Sequence, residues 1–351
     1  MKIAIDISPL ESSHRWRGIG VYTRNLVTAL EKLSEADLEI KLVKKPGELK
    51  NADLVHYPYF DLFFPTLPSG QVIPTVLTIH DVIPLVFPKH YPPGIKGRLN
   101  FWRQKKVLGS AAAVICDSRN SQKDIQKYLH FPAEKTHVVY LAPQEIFKPV
   151  NSRKKLTLVS KKYSLPAKFI LYVGGINYNK NVLGLAQASK IIRVPLVIVN
   201  KMAAHQDFNQ EHPENQPLVQ LIKQYGRDPD IRRVGFVPDS DLPAMYSLAS
   251  VYCQPSFYEG FGLPVLEAMS CGCPVVSSNI SSLPEVCGTA AVMVDPAPRK
   301  IAQGLQRVLT GKDLGNKLVS KGYAQAKKFT WEKTARETIK VYEKAFQTKK
   351  E

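Results

Sequence analysis

The feature that most constrains the fold of this chain is a regular alternation of short apolar runs with longer helix-compatible segments. Uninterrupted apolar runs of strand length, each followed by a helical pattern, are typical of parallel strands buried on both faces. The predicted strands are Lys2–Asp6, Leu54–Tyr57, Val76–His80, Val114–Asp117, Val138–Leu141, Phe169–Val173, Leu196–Val199, Val251–Pro255, Val275–Ser277 and Val292–Val294. We therefore predict an α/β protein in which helices cover both faces of parallel sheets.

The length of 351 residues exceeds the size at which a single hydrophobic core stops growing, so two domains are expected. A basic stretch that begins and ends with proline, Pro143 to Pro166, separates the two groups of strands. We predict an N-terminal Rossmann-like domain over residues 1–150, a C-terminal Rossmann-like domain over residues 151–329 and a closing helix over residues 330–351. Two doubly wound domains would face each other across a cleft, and ligands of such sheets bind beyond the carboxyl ends of the strands.

The formal net charge of +18 implies attraction to phosphate groups. Nucleotides, nucleic acids and anionic membranes all carry such groups, and composition does not choose among them. No apolar stretch reaches the roughly eighteen residues that a membrane-spanning helix needs. Asp6, near the start of the chain, does not suit a signal peptide. These features predict a cytoplasmic protein.

The segment from Pro255 to Gly272 carries the clearest signal of a ligand site. A loop that holds Glu259 follows a predicted strand, and a helix that holds Glu267 begins near Pro264. Backbone N–H groups at a helix N-terminus bind phosphate, whereas a carboxylate accepts hydrogen bonds from the hydroxyls of a sugar or ribose. The alternative interpretation is a capped helix with two solvated acids.

This segment resembles the E-x7-E motif of retaining, nucleotide-sugar-dependent glycosyltransferases of family 4, the group 1 type with the GT-B fold. Further segments match the family in order along nearly the whole chain. They are Gly18-Ile-Gly20-Val-Tyr-Thr, Thr78-Ile-His80-Asp81, Cys116-Asp-Ser118, Tyr172-Val-Gly174-Gly175 through Lys180-Asn181, Gly235-Phe-Val237, Ser282-Leu-Pro-Glu285-Val and Trp331-Glu-Lys333. The resemblance implies an enzyme that moves a hexose from a nucleotide diphosphate sugar to a hydroxyl of a glycan or lipid-linked acceptor.

The resemblance also implies roles for individual residues of the C-terminal domain. Glu267 would bind the ribose hydroxyls, and Glu259 would bind hydroxyls of the donor sugar. Lys180 would neutralise the diphosphate as it leaves. The remaining donor contacts would come from Gly260, Phe261, Gly262 and Leu263 through their amides, and from Val237, which lies with Phe236 and Tyr246 near the expected position of the base.

In the N-terminal domain, the resemblance places Gly18 and Gly20 ahead of a helix that begins near Val21, where their amides would meet the distal phosphate or the acceptor. His80 would lie over the sugar ring near the anomeric carbon. The alternative interpretation of His80 is a histidine that ends a strand with its hydrogen bonds satisfied.

The chain departs from the family pattern at Gly175, where an arginine is usual. Similar Gly-Gly forms are found among mannosyltransferase-like members, which favours GDP-mannose as the donor, with no permanently bound cofactor. Arg15, Arg17 or Arg119 could supply the missing positive charge across the cleft.

Two Asp-x-Asp tripeptides, Asp228-Pro-Asp230 and Asp239-Ser-Asp241, are of the kind that binds a divalent ion in another class of glycosyltransferase. We interpret the first as a polar turn and the second as the cap of a helix over Leu242–Leu248, and we predict no metal site. Two alternatives remain for the whole chain. One is a basic nucleic-acid-binding protein, for which no RNP, zinc-finger or helix-turn-helix signature is found; the other is a related GT-B epimerase or phosphorylase.

No acidic residue occurs between Val82 and Cys116, where basic residues alternate with large aromatics. The basic residues are Lys89, Lys96, Arg98, Arg103, Lys105 and Lys106, and the aromatics are Phe87, Tyr91, Phe101 and Trp102. A basic helix with large aromatics over Ile95 to Leu108 predicts peripheral attachment to the inner face of an anionic membrane. The alternative is a solvated basic face whose aromatic rings belong to the core.

Overall fold

The computed structural model of the chain describes residues 1–11, 18–33, 38–44, 51–68, 73–204 and 208–347. The chain divides into two compact units. The N-terminal unit comprises Met1–Leu141 with Phe329–Glu351, and the C-terminal unit comprises Ala142–Lys328. Each unit is built on a six-stranded parallel sheet with flanking helices, which confirms the predicted α/β class with two doubly wound sheets.

The sheet of the N-terminal unit has the strand order β2-β1-β3-β4-β5-β6. Its strands are β1 (Lys2–Asp6), β2 (Glu39–Val43), β3 (Leu54–Tyr57), β4 (Thr75–Thr78), β5 (Ala113–Cys116) and β6 (Thr136–Val138). Its helices are α1 (Gly18–Leu33), α2 (Ile83–Val86), α3 (Gly94–Leu108), α4 (Arg119–Asp124) and α13 (Trp331–Gln347). Every residue of β3, β4 and β5 is buried, as continuous apolar runs predict for central parallel strands.

The sheet of the C-terminal unit has the order β12-β11-β10-β7-β8-β9. Its strands are β7 (Ile170–Val173), β8 (Leu196–Val199), β9 (Ile231–Arg233), β10 (Val251–Gln254), β11 (Val275–Ser278) and β12 (Ala291–Val294). Its helices are α5 (Arg153–Lys162), α6 (Val182–Ile192), α7 (Gln216–Tyr225), α8 (Leu242–Leu248), α9 (Leu263–Ser270), α10 (Leu283–Cys287), α11 (Pro298–Thr310) and α12 (Lys312–Ala326). β10 and β7 lie at the centre, so the loops that follow them are neighbours.

The boundary between the units falls after Leu141, whereas the sequence places it after Val150. The segment between these two points packs on α8 of the C-terminal unit. The backbone N–H of Val150 donates to Ser247 Oγ at 3.1 Å, and the Phe147 ring packs edge-on against Tyr246. These contacts bring the proline-containing stretch into the second unit.

The last helix, α13, is grouped with the N-terminal unit. The Thr330 hydroxyl caps it by accepting from the Lys333 N–H at 3.1 Å, and Thr334 Oγ1 donates to the Tyr140 carbonyl at 2.7 Å. Further along, the Tyr342 hydroxyl lies 2.7 Å from Nδ1 of the buried His56. Polar contacts to β3 and to the loop after β6 therefore fix the helix on this unit.

Candidate active site

The loop between β10 and α9 forms the centre of the candidate site. Gly262 ends this loop with φ = +109°, in the region that favours glycine. A Cβ atom at this position would lie only 2.8 Å from Leu283 Cδ2, so a larger residue would displace α10. No side-chain hydrogen bond caps α9, and its second residue, Pro264, has no N–H group. The Val265 N–H donates to the Gly262 carbonyl at 3.0 Å.

Glu259 is 5% exposed, and its carboxylate is bound through both oxygens. Oε1 accepts from Gln254 Nε2 at 2.7 Å and from Ser256 Oγ at 2.6 Å. Oε2 accepts from Lys180 Nζ at 2.6 Å. A buried carboxylate with three donors, one of them charged, is held in a single orientation.

Lys180 lies on the loop after β7, which is tied to the loop after β10. The Asn179 carbonyl accepts from the Phe257 N–H at 2.7 Å, and Asn179 Nδ2 donates to the Tyr258 carbonyl at 2.9 Å. Asn181 Nδ2 donates to the Pro255 carbonyl at 2.9 Å. The structure thus brings together Lys180 and Glu259, two residues that the sequence proposed separately.

Glu267 projects from α9 and is buried beside Tyr246 of α8. Its Oε2 accepts from the Tyr246 hydroxyl at 2.9 Å. Burial raises the pKa of Glu267 to about 7; the hydrogen bond from Tyr246 lowers it, and the charge of Asp239 raises it. The carboxyl group therefore changes charge near neutral pH.

The Gly174–Gly175 turn after β7 is fixed by two side chains. The Tyr172 hydroxyl donates to the Gly175 carbonyl at 2.6 Å, and Asn200 Nδ2 donates to the Gly174 carbonyl at 2.8 Å. A Cβ atom at Gly175 would lie 2.9 Å from Asn177 Oδ1, so a side chain here would require Asn177 to move.

Among the predicted substitutes for a cation at the Gly-Gly turn, Arg119 is an exposed residue of the N-terminal unit. Arg15 and Arg17 lie outside the described residues. Val237 is buried next to Phe236, whose ring is exposed.

The glycines of the N-terminal unit lie differently from the prediction. Helix α1 begins at Gly18 and not near Val21, so Gly18 and Gly20 belong to its first turn. Both glycines therefore take helical geometry and do not form a separate turn. The N–H groups of a first turn have no acceptor within the helix, so these glycines are still suited to bind a ligand through their amides.

His80 follows β4 and is paired with a carboxylate that the sequence did not assign. Its Nδ1 lies 2.7 Å from Oδ2 of Asp117, the residue after β5. Gln254 and Ser256, which hold Glu259, were also missed. All three lie at or just beyond the carboxyl end of a strand, which is the signal that could have identified them.

Carboxylates of both Asp-x-Asp tripeptides form ion pairs with lysines of other helices. Asp228 and Asp230 both bind Lys190, at 2.9 and 3.0 Å. Asp241 occupies the N-cap position of α8, but its side chain binds Lys162 at 2.7 Å and does not cap the helix, which corrects the predicted role. Among the described residues, no three His, Cys, Asp or Glu side chains are grouped so that they could hold a metal ion.

Comparison with known proteins agrees with this architecture. The family described as "Glycosyl transferases group 1" matches residues 158–325, and "Glycosyltransferase Family 4" matches residues 39–142. The O-antigen chain mannosyltransferase B of Escherichia coli is 34% identical over 76% of this chain and 69% of that relative. The serotype-specific mannosyltransferase WbdA of Escherichia coli is 30% identical over 83% of this chain but only 36% of that larger relative.

A solved structure, the sucrose-phosphate synthase of Thermosynechococcus elongatus, superposes with a TM-score of 0.74. It is 18% identical, and the match covers 99% of each chain. At this identity the likeness shows the fold alone. Because the match covers both units, it confirms the predicted GT-B fold.

Proposed function

The chain belongs to the group 1 glycosyltransferase family and is a nucleotide-sugar-dependent hexosyltransferase, and we propose that it transfers mannose from GDP-mannose to a hydroxyl of a glycan or lipid-linked acceptor. The observation that carries the proposal is the Lys180–Glu259 pair beside the N-terminus of α9. Mannose is supported by the two mannosyltransferase relatives at 34% and 30% identity and by the glycine at position 175.

The donor would bind at the loops after β7 and β10. When the donor binds, Lys180 would pair with the diphosphate instead of with Glu259. The freed carboxylate oxygen would then accept hydrogen bonds from hydroxyls of the sugar. Glu267 would bind the ribose, and the amides of Gly260 to Leu263 would face the phosphates. As the bond between the anomeric carbon and the phosphate oxygen breaks, negative charge grows on the diphosphate, where Lys180 and the amides stabilise it.

Retention of configuration requires the acceptor hydroxyl to form its bond on the face from which the diphosphate leaves. The departing phosphate oxygen would then receive the hydroxyl proton. His80 would contact the sugar, and Gly18 and Gly20 would contact the phosphate or the acceptor through their amides. We assign the positive net charge to phosphate and membrane binding, so this charge does not favour a nucleic-acid-binding protein. The alternatives of an epimerase or a phosphorylase have no supporting observation among the described residues.

A thermal-shift panel tests the choice of donor. A ligand that binds only the native state raises the melting temperature by mass action. GDP-mannose should raise it more than UDP-glucose, UDP-galactose or ADP-glucose at the same concentration. A larger shift with a UDP-sugar would overturn the assignment of the donor, and no shift with any of them would overturn the donor site itself.

We expect transfer to continue in EDTA. Lys180 and the amides at α9 would provide the stabilisation of charge that a divalent ion provides in other transferases. Initial rates should agree within twofold with EDTA and with added magnesium or manganese. A rate that falls in EDTA and recovers with metal would contradict this expectation and would redirect attention to Asp228 and Asp241.

The surface of α3 supports peripheral attachment to an anionic membrane. Ile95 is 90% exposed and Trp102 is 65% exposed, and with Leu99 they follow the spacing of one helix face. Lys106 Nζ lies 6.0 Å from the centre of the Trp102 ring. Exposed aromatic and aliphatic side chains within a cationic helix suit the interface of a bilayer.

The same surface continues onto a neighbouring loop. Phe64 is exposed, and the buried Gln104 of α3 donates to the Phe64 carbonyl at 3.2 Å. Phe101 instead packs against Phe63, so the alternative of aromatics that belong to the core holds for this ring but not for Trp102. Within the described residues, no helix is long and apolar enough to cross a membrane.

Sedimentation with liposomes tests the attachment. The chain should sediment with vesicles that contain phosphatidylglycerol, less so as salt rises, and little with neutral vesicles, because each cation contributes about 1 kcal/mol near an anionic surface. Changing Arg103, Lys105 and Lys106 to serine should reduce binding. A matched control changes the exposed Arg153, Lys154 and Lys155 of α5 to serine, which removes the same charge elsewhere. Equal recovery with neutral and anionic vesicles, or equal losses in both triple variants, would contradict the proposal.

A further inference from the structure

The His80 ring is fixed between two elements of the N-terminal unit. Asp117 Oδ2 lies 2.7 Å from its Nδ1, and the Asp117 side chain is only 4% exposed. The Tyr22 ring of α1 packs against His80 with centroids 4.7 Å apart and planes at 86°. This contact allows little freedom for the ring to rotate.

The two loops that carry this pair are also joined to each other. Ser121 Oγ donates to the His80 carbonyl at 3.1 Å, and Ser118 Oγ caps α4 by accepting from the Ser121 N–H at 2.9 Å. Asp117 immediately precedes this cap. These hydrogen bonds therefore hold the backbone at His80 close to the backbone at Asp117, which keeps the imidazole near the carboxylate.

A series of buried hydrogen bonds holds Tyr22, the residue whose ring packs against His80. Tyr22 OH lies 3.0 Å from Thr78 Oγ1, which lies 2.8 Å from His56 Nε2. His56 Nδ1 in turn contacts the Tyr342 hydroxyl of α13. The elements that frame His80 are thus connected from α1 to the C-terminal helix.

One polar atom of each partner has no hydrogen bond within the described part of the chain. These atoms are His80 Nε2 and Asp117 Oδ1, and both are buried. The Pro58 carbonyl lies near the ring, but it does not complete a hydrogen bond of normal geometry with Nε2. Buried polar atoms are normally paired, and an unpaired one calls for an explanation such as a role in binding or catalysis. With Nδ1 committed to Asp117, Nε2 is the ring atom that can bind a substrate group.

The charges around the ring favour its protonated form. Burial alone lowers the pKa of His80, but the charge and hydrogen bond of Asp117, the charge of Asp81 and the Pro58 carbonyl together raise it above its ordinary value. Burial and the charge of His80 lower the pKa of His56 to about 3. Burial and the charge of Asp117 raise the pKa of Tyr22. His56 and Tyr22 therefore stay neutral near pH 7, whereas the pKa of His80 is raised by its neighbours.

We propose that Asp117 is a positioning residue of the transferase, which holds the His80 ring through Nδ1 so that Nε2 meets a hydroxyl of the bound sugar. The Nδ1 proton sits beside the carboxylate in both charge states of the ring. Nε2 accepts from the hydroxyl when the ring is neutral and donates to it when the ring is protonated. The consequence for turnover rests on the proposed function of His80, whereas the pairing itself does not.

The pairing is measured by NMR titration of the histidine rings in the ligand-free protein. The His80 signal is identified by its loss in His80→Gln. Asp117→Asn keeps the shape of the side chain but removes its charge, so the pKa of His80 should fall. Asp124→Asn on α4 is the matched control and should leave it unchanged. An unchanged pKa in Asp117→Asn would overturn the pairing.

The positioning role is measured by turnover at saturating donor. Asp117→Asn should lower kcat by about 10²-fold with little change in donor KM, because a misplaced contact at the reacting centre costs that much. The double variant with His80→Gln should be no slower than His80→Gln alone, since the two residues act as one unit. Full activity in Asp117→Asn with a shifted pKa would overturn the positioning role. Asp117→Ser replaces Asp117→Asn if the latter does not fold.

The two measurements separate this inference from the proposed function. If the parent protein transfers no sugar from any nucleotide donor, the proposed function fails. The titration would still decide whether Asp117 controls the His80 ring.

Discussion

Glu259→Gln should lower kcat by about 10²-fold or more while binding of the nucleoside diphosphate is retained. The variant keeps the shape of the side chain and its bond from Ser256, but it removes the charge that pairs with Lys180 at 2.6 Å. Contacts to the sugar near the anomeric carbon strengthen as charge develops there, so their loss reduces turnover more than ground-state binding. Because Lys180 is released from its ion pair, affinity for GDP should stay level or rise.

Steady-state kinetics and calorimetric titration with GDP measure these two effects on the same protein. Glu211→Gln, an exposed position of the same unit, is the control for the loss of one charge. A Glu259→Gln protein with the parent's kcat would remove Glu259 from the site. Loss of GDP binding at unchanged kcat would reverse the roles assigned to Glu259 and Glu267.

Glu267→Gln should weaken binding of GDP by about 10- to 100-fold at pH 8, because a hydrogen bond to a charged group contributes about 1.5–3 kcal/mol. Ribose contacts persist from the ground state to the transition state, so kcat at saturating donor should change little. The parent should bind GDP more tightly as pH rises through the Glu267 pKa of about 7, and the variant should not. Parent-like affinity of the variant at pH 8 would contradict the ribose contact.

The same substitution should stabilise the ligand-free protein. In the parent, the folded-state pKa of about 7 lies above the ordinary value of 4.5, so the folded chain holds its proton more tightly than the unfolded chain. Stability therefore falls as pH rises from 4.5 to 7, by about 3 kcal/mol at the upper end. The Glu267→Gln variant has no carboxyl group here and does not lose this stability. Its melting temperature should therefore exceed that of the parent by more at pH 8 than at pH 5. An equal difference at both pH values would contradict the raised pKa.

The central strands of both sheets could be predicted from sequence because they are apolar at every position. β2 and β9 were not predicted because their sequences are not apolar throughout. Each is an edge strand with charged, partly exposed residues, Glu39 and Lys41 in one and Arg232 and Arg233 in the other, so no apolar run marks it. Such an edge strand is identified by its pairing with a neighbouring strand, and this pairing cannot be read from the sequence.

The acidic residues of the candidate site were found because they stand in a patterned segment, whereas their partners were not. Gln254 and Ser256 look like ordinary strand-end residues until folding places them against Glu259. Asp117 meets His80 because β4 and β5 are adjacent in the sheet, although 37 positions separate the two residues in the sequence. Such pairs depend on strand order, and sequence reasoning alone did not fix that order.

The configuration of the product is the most direct test of a retaining hexosyl transfer by this enzyme. The purified protein would be incubated with GDP-mannose and a mannose-terminated oligosaccharide, and the anomeric signals would be followed by NMR as GDP is released. We predict an α-linked mannosyl product, with the configuration of the donor, formed in step with GDP. A β-linked product would contradict retention, and release of GDP with free mannose alone would contradict transfer to a glycan.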